Sequence, residues 1–191
     1  YMDFFMAHNY LSYSSALNVV RTVDTDSALN AASDGTGILI KNEEDFEDRI
    51  DTTATFYAKY PGAHGNDLKV WFITASTWSD LETANAAVQD LFSGPPTGDE
   101  IHIAIEDTVG WFSGAGDILE IYEYLLPTEG AKKDDGSSAY WVKVLNDYSL
   151  YVWTSGAYTD LIGGTPSDPE VLSDVDTFSV SMTGGVDGNN E

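Results

Sequence analysis

The sequence predicts a layered α/β or α+β domain, a mixed sheet with helices packed against it. Three observations carry that prediction. Strand-like and helix-like runs alternate through residues 1–154, the pattern of a layered fold. The 191 residues are 42% apolar and include 8 Phe, 5 Trp and 11 Tyr, ample for a packed core and against global disorder. No apolar run approaches the ~20 residues that span a bilayer.

The elements follow in order. "DFFMAHNYLSYSSAL" (3–17) spaces Phe4, Phe5, His8 and Leu11 as a helix would. "NVVRTV" (18–23) is β-branched and short, a strand. Residues 24–37, "DTDSALNAASDGTG", read as a polar connection ending in glycine, and "ILIKN" (38–42) as a second strand. "EEDFEDRI" is a short helix with acids in its first turn, where the helix dipole favours them. "LKVWFIT" (68–74) is apolar on both alternating faces, so a strand covered on both sides.

"SDLETANAAVQDLF" (79–92) sets Leu81, Ala84, Val88, Leu91 and Phe92 on one stripe, capped by Ser79 or Asp80. "IHIAIED" (101–107) is a strand with Ile101, Ile103 and Ile105 on one face. "DILEIYEYLL" (117–126) is expected to be a helix, Asp117 and Glu120 forming a capping box and Pro127 ending it. Residues 137–149 predict another, burying Tyr140, Trp141, Val144, Leu145 and Tyr148. "LYVWT" (150–154) is a strand. Beyond Ser155 the chain is rich in Gly, Ser, Asp and Pro, with "FSVSM" its one strand-like run. The expected division is a domain over 1–154 and a segment over 155–191 leading toward a further C-terminal domain.

Charge narrows the function classes. Against 32 Asp and Glu stand 8 Lys and Arg, a net charge of −24. Such a field repels phosphate backbones and anionic membranes and argues against nucleic-acid binding through a basic groove. With no cysteine, disulfides and thiolate metal sites are excluded. The three histidines, His8, His64 and His102, lack metal-ligand spacing, and no G-x-S-x-G elbow or Walker A pattern occurs. "GTGILI" and "GAGDIL" lack the third glycine of a dinucleotide loop. His102 alternates with isoleucines and reads as a satisfied core residue. The acidic loops 24–35 and 167–176 do not follow EF-hand spacing. Trp71, Trp141 and Trp153 sit in apolar periodic segments, whereas Trp78 and Trp111 lie in turn-like surroundings and are candidates for a surface.

One loop is specified closely. In "FYAKYPGAHGNDLKVWF" (56–72), Pro61 fixes a backbone angle, Gly62 and Gly65 permit unusual ones, and Asn66-Asp67 lead into a buried strand. Lys59 carries one of few positive charges there. It either meets an acidic partner or lays its stem over Tyr57 or Tyr60. Lys59, Tyr60, Pro61, Gly62, Gly65 and Asn66 are therefore the candidate residues for a demanding turn near a subunit contact. Arg21, Lys132, Lys133, Asp134 and Asp135 are second choices for polar contacts.

Three stretches together resemble the tail sheath proteins of contractile-tailed bacteriophages. "FYAKYPGAHGNDLKV" is similar to the sheath hallmark of Ala-Lys-Tyr-Pro-Gly, then Gly-Asn, then a strand. "DEIHIAIEDTVGWFSGAGDILEIYEYLLPTEGAKKDDGSSAYWVKVLNDYSLYVW" resembles the longest block of the family. "HNYLSYSSALNVVR" is similar to the helix and strand ending in Val-Val-Arg near the start of the sheath core. Taken in chain order they cover roughly residues 5–153. Where long-tailed sheaths insert a protruding domain between Val-Val-Arg and the lysine loop, this chain has residues 24–55 as a short connection.

The resemblance implies a middle fragment of a sheath subunit, monomeric when isolated. Its partners would be other sheath subunits in hexameric rings, the tail tube, the baseplate and the tail terminator. It would assemble in the host cytoplasm and reside in the virion. No catalytic residue, cofactor or metal is implied. The residues alone also leave open an acidic carbohydrate- or calcium-binding extracellular module and, third, a hydrolase using a carboxylate pair.

Overall fold

In a computed structural model the described residues are 2–18, 23–49, 53–158, 160–161, 175 and 178–188. Along them run helix α1 (Met2–Leu11), helix α2 (Glu43–Arg49), strand β1 (Phe56–Ala58), a 3-10 turn (Ala63–Asp67) and strand β2 (Leu68–Thr74). Helix α3 (Trp78–Gln89), strand β3 (Ile101–Asp107), strand β4 (Asp117–Leu125), helix α4 (Trp141–Tyr148), strand β5 (Val152–Thr154) and strand β6 (Ser179–Ser181) follow. The fold is α+β. A four-stranded sheet has the order β4-β3-β2-β6, and a two-stranded sheet pairs β1 with β5. Every ladder in both is antiparallel.

β2 is central because it is apolar on both faces. All its residues but Lys69 are buried, as the double-sided apolar run requires. One face carries Leu68, Val70 and Phe72 into the main core with Phe56, Ile101, Ile103, Ile105, Trp141 and Leu145. The opposite face carries Trp71 and Ile73 against Leu81, Val88 and Phe92 of the α3 region. The expected strand at 178–182 forms as β6 and zips onto β2 with Val70 opposite Val180.

The segment 117–125 is a strand, not the expected helix. Its apolar residues do recur at helical intervals, but β-bulges produce that spacing. The register with β3 slips between Ile101 and Ile103 and again between Ile105 and Glu106. Each slip inserts one residue and re-aims the side chains. Leu119, Tyr122 and Leu125 therefore share the main core at three-residue intervals, while Ile118 faces the other cluster. Tyr124 absorbs one bulge at φ 54, and its N–H donates to His102 Nδ1 at 3.0 Å. His102 is wholly buried, with Nε2 2.9 Å from the Gly94 carbonyl, the satisfied core histidine that alternation predicts. The supposed capping box does other work: Asp117 accepts from Gly114 N–H, and Glu120 accepts from Leu150 N–H.

Smaller departures have local causes. The last long helix starts at Trp141, because residues 131–139 fold back as a hairpin turn with Lys132 bridged to Ser138. α4 buries Trp141, Val144 and Leu145, but Tyr148 is exposed. α3 is kinked at Asn85 (φ −159°, ψ 82°), whose side chain caps Val88 N–H; of the expected stripe, Ala84 and Leu91 are exposed. Residues 38–42 make one isolated bridge, Ile38 to Asn30, with Ile40 buried. Residues 28–32 are no solvent-side connection: Ala28, Asn30, Ala31 and Ala32 are buried, Leu29 bridges to Val186, Asn30 to Ile38, and Ala32 to both Tyr57 and Thr183. α1 covers only the first part of the helical run expected over 3–17: it ends at Leu11, residues 12–17 are non-helical, and Phe4, Phe5 and Leu11 are exposed. Of the strand expected at 18–23, residues 19–22 lie outside the described residues.

Three asparagines fasten segments that are distant or have no ladder partner. Asn30 donates to Ala58 O and accepts from Ile40 N–H. Asn66 and Asn146 each bond both ways with one backbone residue, Gly185 and Thr154 respectively. A side-chain amide carries the same donor and acceptor as a peptide group, so it substitutes for a missing strand partner.

Phe72, fully buried among Phe56, Trp141 and Tyr158, is the test of this core. Phe72→Ala is expected to lower unfolding free energy by about 3–5 kcal/mol in urea titration.

Candidate functional site

The loop that follows β1 is anchored on three sides. Lys59 N–H donates to Tyr151 O at 2.8 Å, and Gly62 N–H to Leu29 O at 3.0 Å. Ala63 N–H donates to Asp187 Oδ1 at 3.0 Å. Gly62 has φ 133° and ψ 166°, a region essentially closed to residues with a side chain. Gly65 is buried where a Cβ would stand 3.0 Å from the Cβ atoms of both Ala31 and Ala58. Asn66 then closes the loop onto Gly185, 2.9 Å to its oxygen and 2.7 Å from its nitrogen. Gly62, Gly65 and Asn66 thus each answer a specific demand of the loop.

Lys59 is half-buried. Its Nζ donates to Asn146 O at 3.1 Å and lies 5.4 Å from the centroid of the Trp153 ring. Asn146 belongs to the last turn of α4, whose carbonyls have no partner within the helix. The ammonium thus sits at the negative end of a helix dipole and over an aromatic face. Burial lowers its pKa, and the charges of Glu43, Glu120 and Asp147 oppose that shift. The lysine meets a carbonyl and an indole, with carboxylates at longer range.

Tyr60, 62% exposed, and Pro61 form a ridge between two clefts. One, about 560 Å³, is lined by Lys41, Lys59 and Trp153 among others. The second, about 300 Å³, is lined by His64, Phe112 and Tyr151 on its far side. Beside it Trp111, 60% exposed, packs on His64 with ring centroids 3.9 Å apart. Trp78 instead packs against Phe92 and His102.

The Trp111 loop is held by a residue that sequence reading missed. Asp107, wholly buried at the end of β3, accepts from the backbone N–H groups of Val109, Gly110, Trp111, Phe112 and Ser113. Burial pushes its carboxyl up, but the donations from Ser113, Gly110, Phe112 and Trp111 outweigh it and hold the pKa below the usual carboxylate range. An aspartate ending a strand before "TVGWFSGAG" was the available signal. Thr108 ties the same loop to Asp67 O at 2.8 Å, so it abuts the lysine loop.

The second-choice residues lie elsewhere. Lys132, Lys133, Asp134 and Asp135 occupy the exposed turn between β4 and α4. There Asp135 accepts from Ser137 Oγ and N–H, which lowers its pKa. Lys133 Nζ reaches Glu123 O at 3.4 Å. Among the described residues none of these hydrogen bonds reaches the Lys59 loop. Arg21 lies outside the described residues. No three His, Asp or Glu among the described residues converge as metal ligands.

No family model matches the chain. The chain is similar to the tail sheath protein of Salmonella phage ViI, 31% identical over 109 residues, which is 56% of this chain and 16% of that protein. The chain therefore spans a small part of the relative's length. Over that part it is related to a structural component of a phage tail.

Two outcomes test the loops. Gly62→Val is expected to lower stability by about 1–3 kcal/mol, read as a reduced thermal midpoint. Asp107 has a depressed folded pKa, so its stabilisation is complete above its unfolded pKa and lost as pH falls through the folded one. The stability gap between wild type and Asp107→Asn should be largest at neutral pH and narrow as the pH falls below the ordinary aspartate range. A gap independent of pH would show that the loop is held otherwise.

Proposed function

We propose that the chain is a middle portion of a subunit of a contractile phage tail sheath. In this reading it has no catalytic role. Full-length subunits polymerise as hexameric rings around the tail tube, between baseplate and terminator. They rearrange on contraction to drive the tube into the host envelope. Assembly takes place in the host cytoplasm, and the product is part of the virion. The observation that carries the reading is the 31% identity over 109 residues with a tail sheath protein.

The geometry agrees with a mechanical role. A subunit that exchanges one set of neighbours for another must move as a rigid body. Contacts that do not close on themselves propagate as a helix, and two packings separated by a barrier can store a metastable state. Loops pinned as firmly as residues 59–66 and 108–113 keep their shape through such a move. The exposed Tyr60 and Trp111 stand on those two loops and are the candidate contact residues.

Electron microscopy of the full-length subunit carrying this segment is expected to show tubes. The isolated 191-residue chain should scatter light as a monomer at micromolar concentration, and calorimetric titration with calcium or soluble glycans should be flat. Dispersed full-length particles, or stoichiometric binding of calcium or a glycan, would overturn the reading.

A further inference from the structure

Two copies of a chain with net charge −24 repel each other unless their contact falls where the local sign reverses. The described cations are mostly engaged. Arg49 pairs with Asp45, and Lys143 pairs with Asp147 at 2.8 Å. Lys69 lies 3.9 Å from the centroid of the Trp71 ring, and Lys133 reaches a backbone carbonyl. Lys41 and Lys59 are set apart by position, since both line one cleft of about 560 Å³ in which no Asp or Glu stands among the described residues, although Lys59 is itself engaged with Asn146 O and the Trp153 ring. A second cleft, about 520 Å³, also holds two lysines, Lys132 and Lys143, but Glu129 stands in its wall and Lys143 is already paired.

The Lys41–Lys59 cleft has a definite chemistry. Lys59 is fixed over Trp153 with one donor on Asn146 O, which leaves an ammonium's other donors for a ligand. Lys41 is an exposed residue whose backbone N–H, rather than its ammonium, is held by Asp45. The carboxylates that act on these charges from neighbouring elements are Glu43, Glu120 and Asp147 on Lys59, and Asp45 with Lys41. None lies within 4.0 Å ion-pair distance of either ammonium among the described residues. Val23, Leu39, Pro61 and Trp153 supply apolar wall. Two cations over an apolar wall fit a carboxylate whose neighbours are apolar.

We propose that this cleft receives an aspartate or glutamate, flanked by apolar residues, from a second copy of the chain. The inference rests on the polymerising reading above and names the contact that lets two acidic subunits meet. A cleft on one face and an acid on another make a head-to-tail contact, which extends without closing. One such contact is small and weak on its own. Repeated along a polymer it gains from effective concentration.

The test is a dilution series of the 15N-labelled chain followed by NMR. From about 20 μM to about 1 mM, amide shifts are expected to grow at residues 39–42, 59–61 and 153. They should shrink several-fold in about 0.5 M salt, because charge attraction is screened. Lys41→Glu should abolish the concentration dependence and Lys41→Arg keep it, both with unchanged spectra elsewhere. Shifts that map to another surface, or that persist in Lys41→Glu, would overturn the cleft while leaving self-assembly standing. No concentration dependence in the wild type would also overturn it. Failure of full-length wild type to form tubes is a separate result, against the sheath reading itself.

Discussion

A chain with 32 acidic and 8 basic residues cannot be held together by ion pairs, and this one is held by apolar burial and by side chains that bond to backbone. The two ion pairs formed among the described residues are both local, four residues apart on exposed helix surfaces, and such pairs contribute little. Long-range fastening falls to neutral amides and one carboxylate. Asn30, Asn66 and Asn146 each pair with backbone groups through peptide-like donor and acceptor bonds. Asp107 gathers five N–H groups of a loop that would otherwise point its donors at nothing. Bonds of this kind work at any net charge and are little screened by salt, which suits a strongly acidic protein.

The same fastening gives the surface its character. The lysine loop is fixed by residues from three distant parts of the chain: Leu29, Tyr151 and Asp187. Opening it would expose Gly65, packed on Ala31 and Ala58, and free the last turn of α4 from Lys59. Local opening therefore carries a cost in broken hydrogen bonds and lost packing. Tyr60 and Trp111 are consequently presented on rigid mounts, and a partner that meets them has little loop-ordering entropy to overcome.

Legibility followed how far apart the interacting residues lie. β2 and β3 were readable because an apolar run covered on both faces, and the alternating isoleucines of 101–105, carry their period in consecutive residues. α4 was readable for the same reason, apart from its start and the exposure of Tyr148. β4 was not: its bulges depend on pairing with β3 and on the His102 imidazole meeting Tyr124 N–H, and they turned a two-residue period into an apparent helical one. Residues 28–32 looked polar, yet are buried, because alanines and an asparagine can thread a crowded core where larger residues would not fit. In the candidate site, the tight turn at Pro61–Gly62 and the structural demand on Gly65 and Asn66 could be read from residue types. The partners could not, since Gly185 lies 119 residues from Asn66 and Asn146 lies 87 from Lys59.

By itself the sequence determined an α+β domain, a double-sided central strand, a specified turn at 59–66 and an acidic exterior, since these depend on composition and on neighbours in the chain. Tertiary structure alone decided that 117–125 is a strand, that Lys59 caps a helix, that Asp107 holds the Trp111 loop, and that Lys41 and Lys59 share a cleft. Each of those outcomes turns on which distant backbone group comes within hydrogen-bond reach, or on which side chains line a common hollow. No local pattern encodes that distance before the chain has folded.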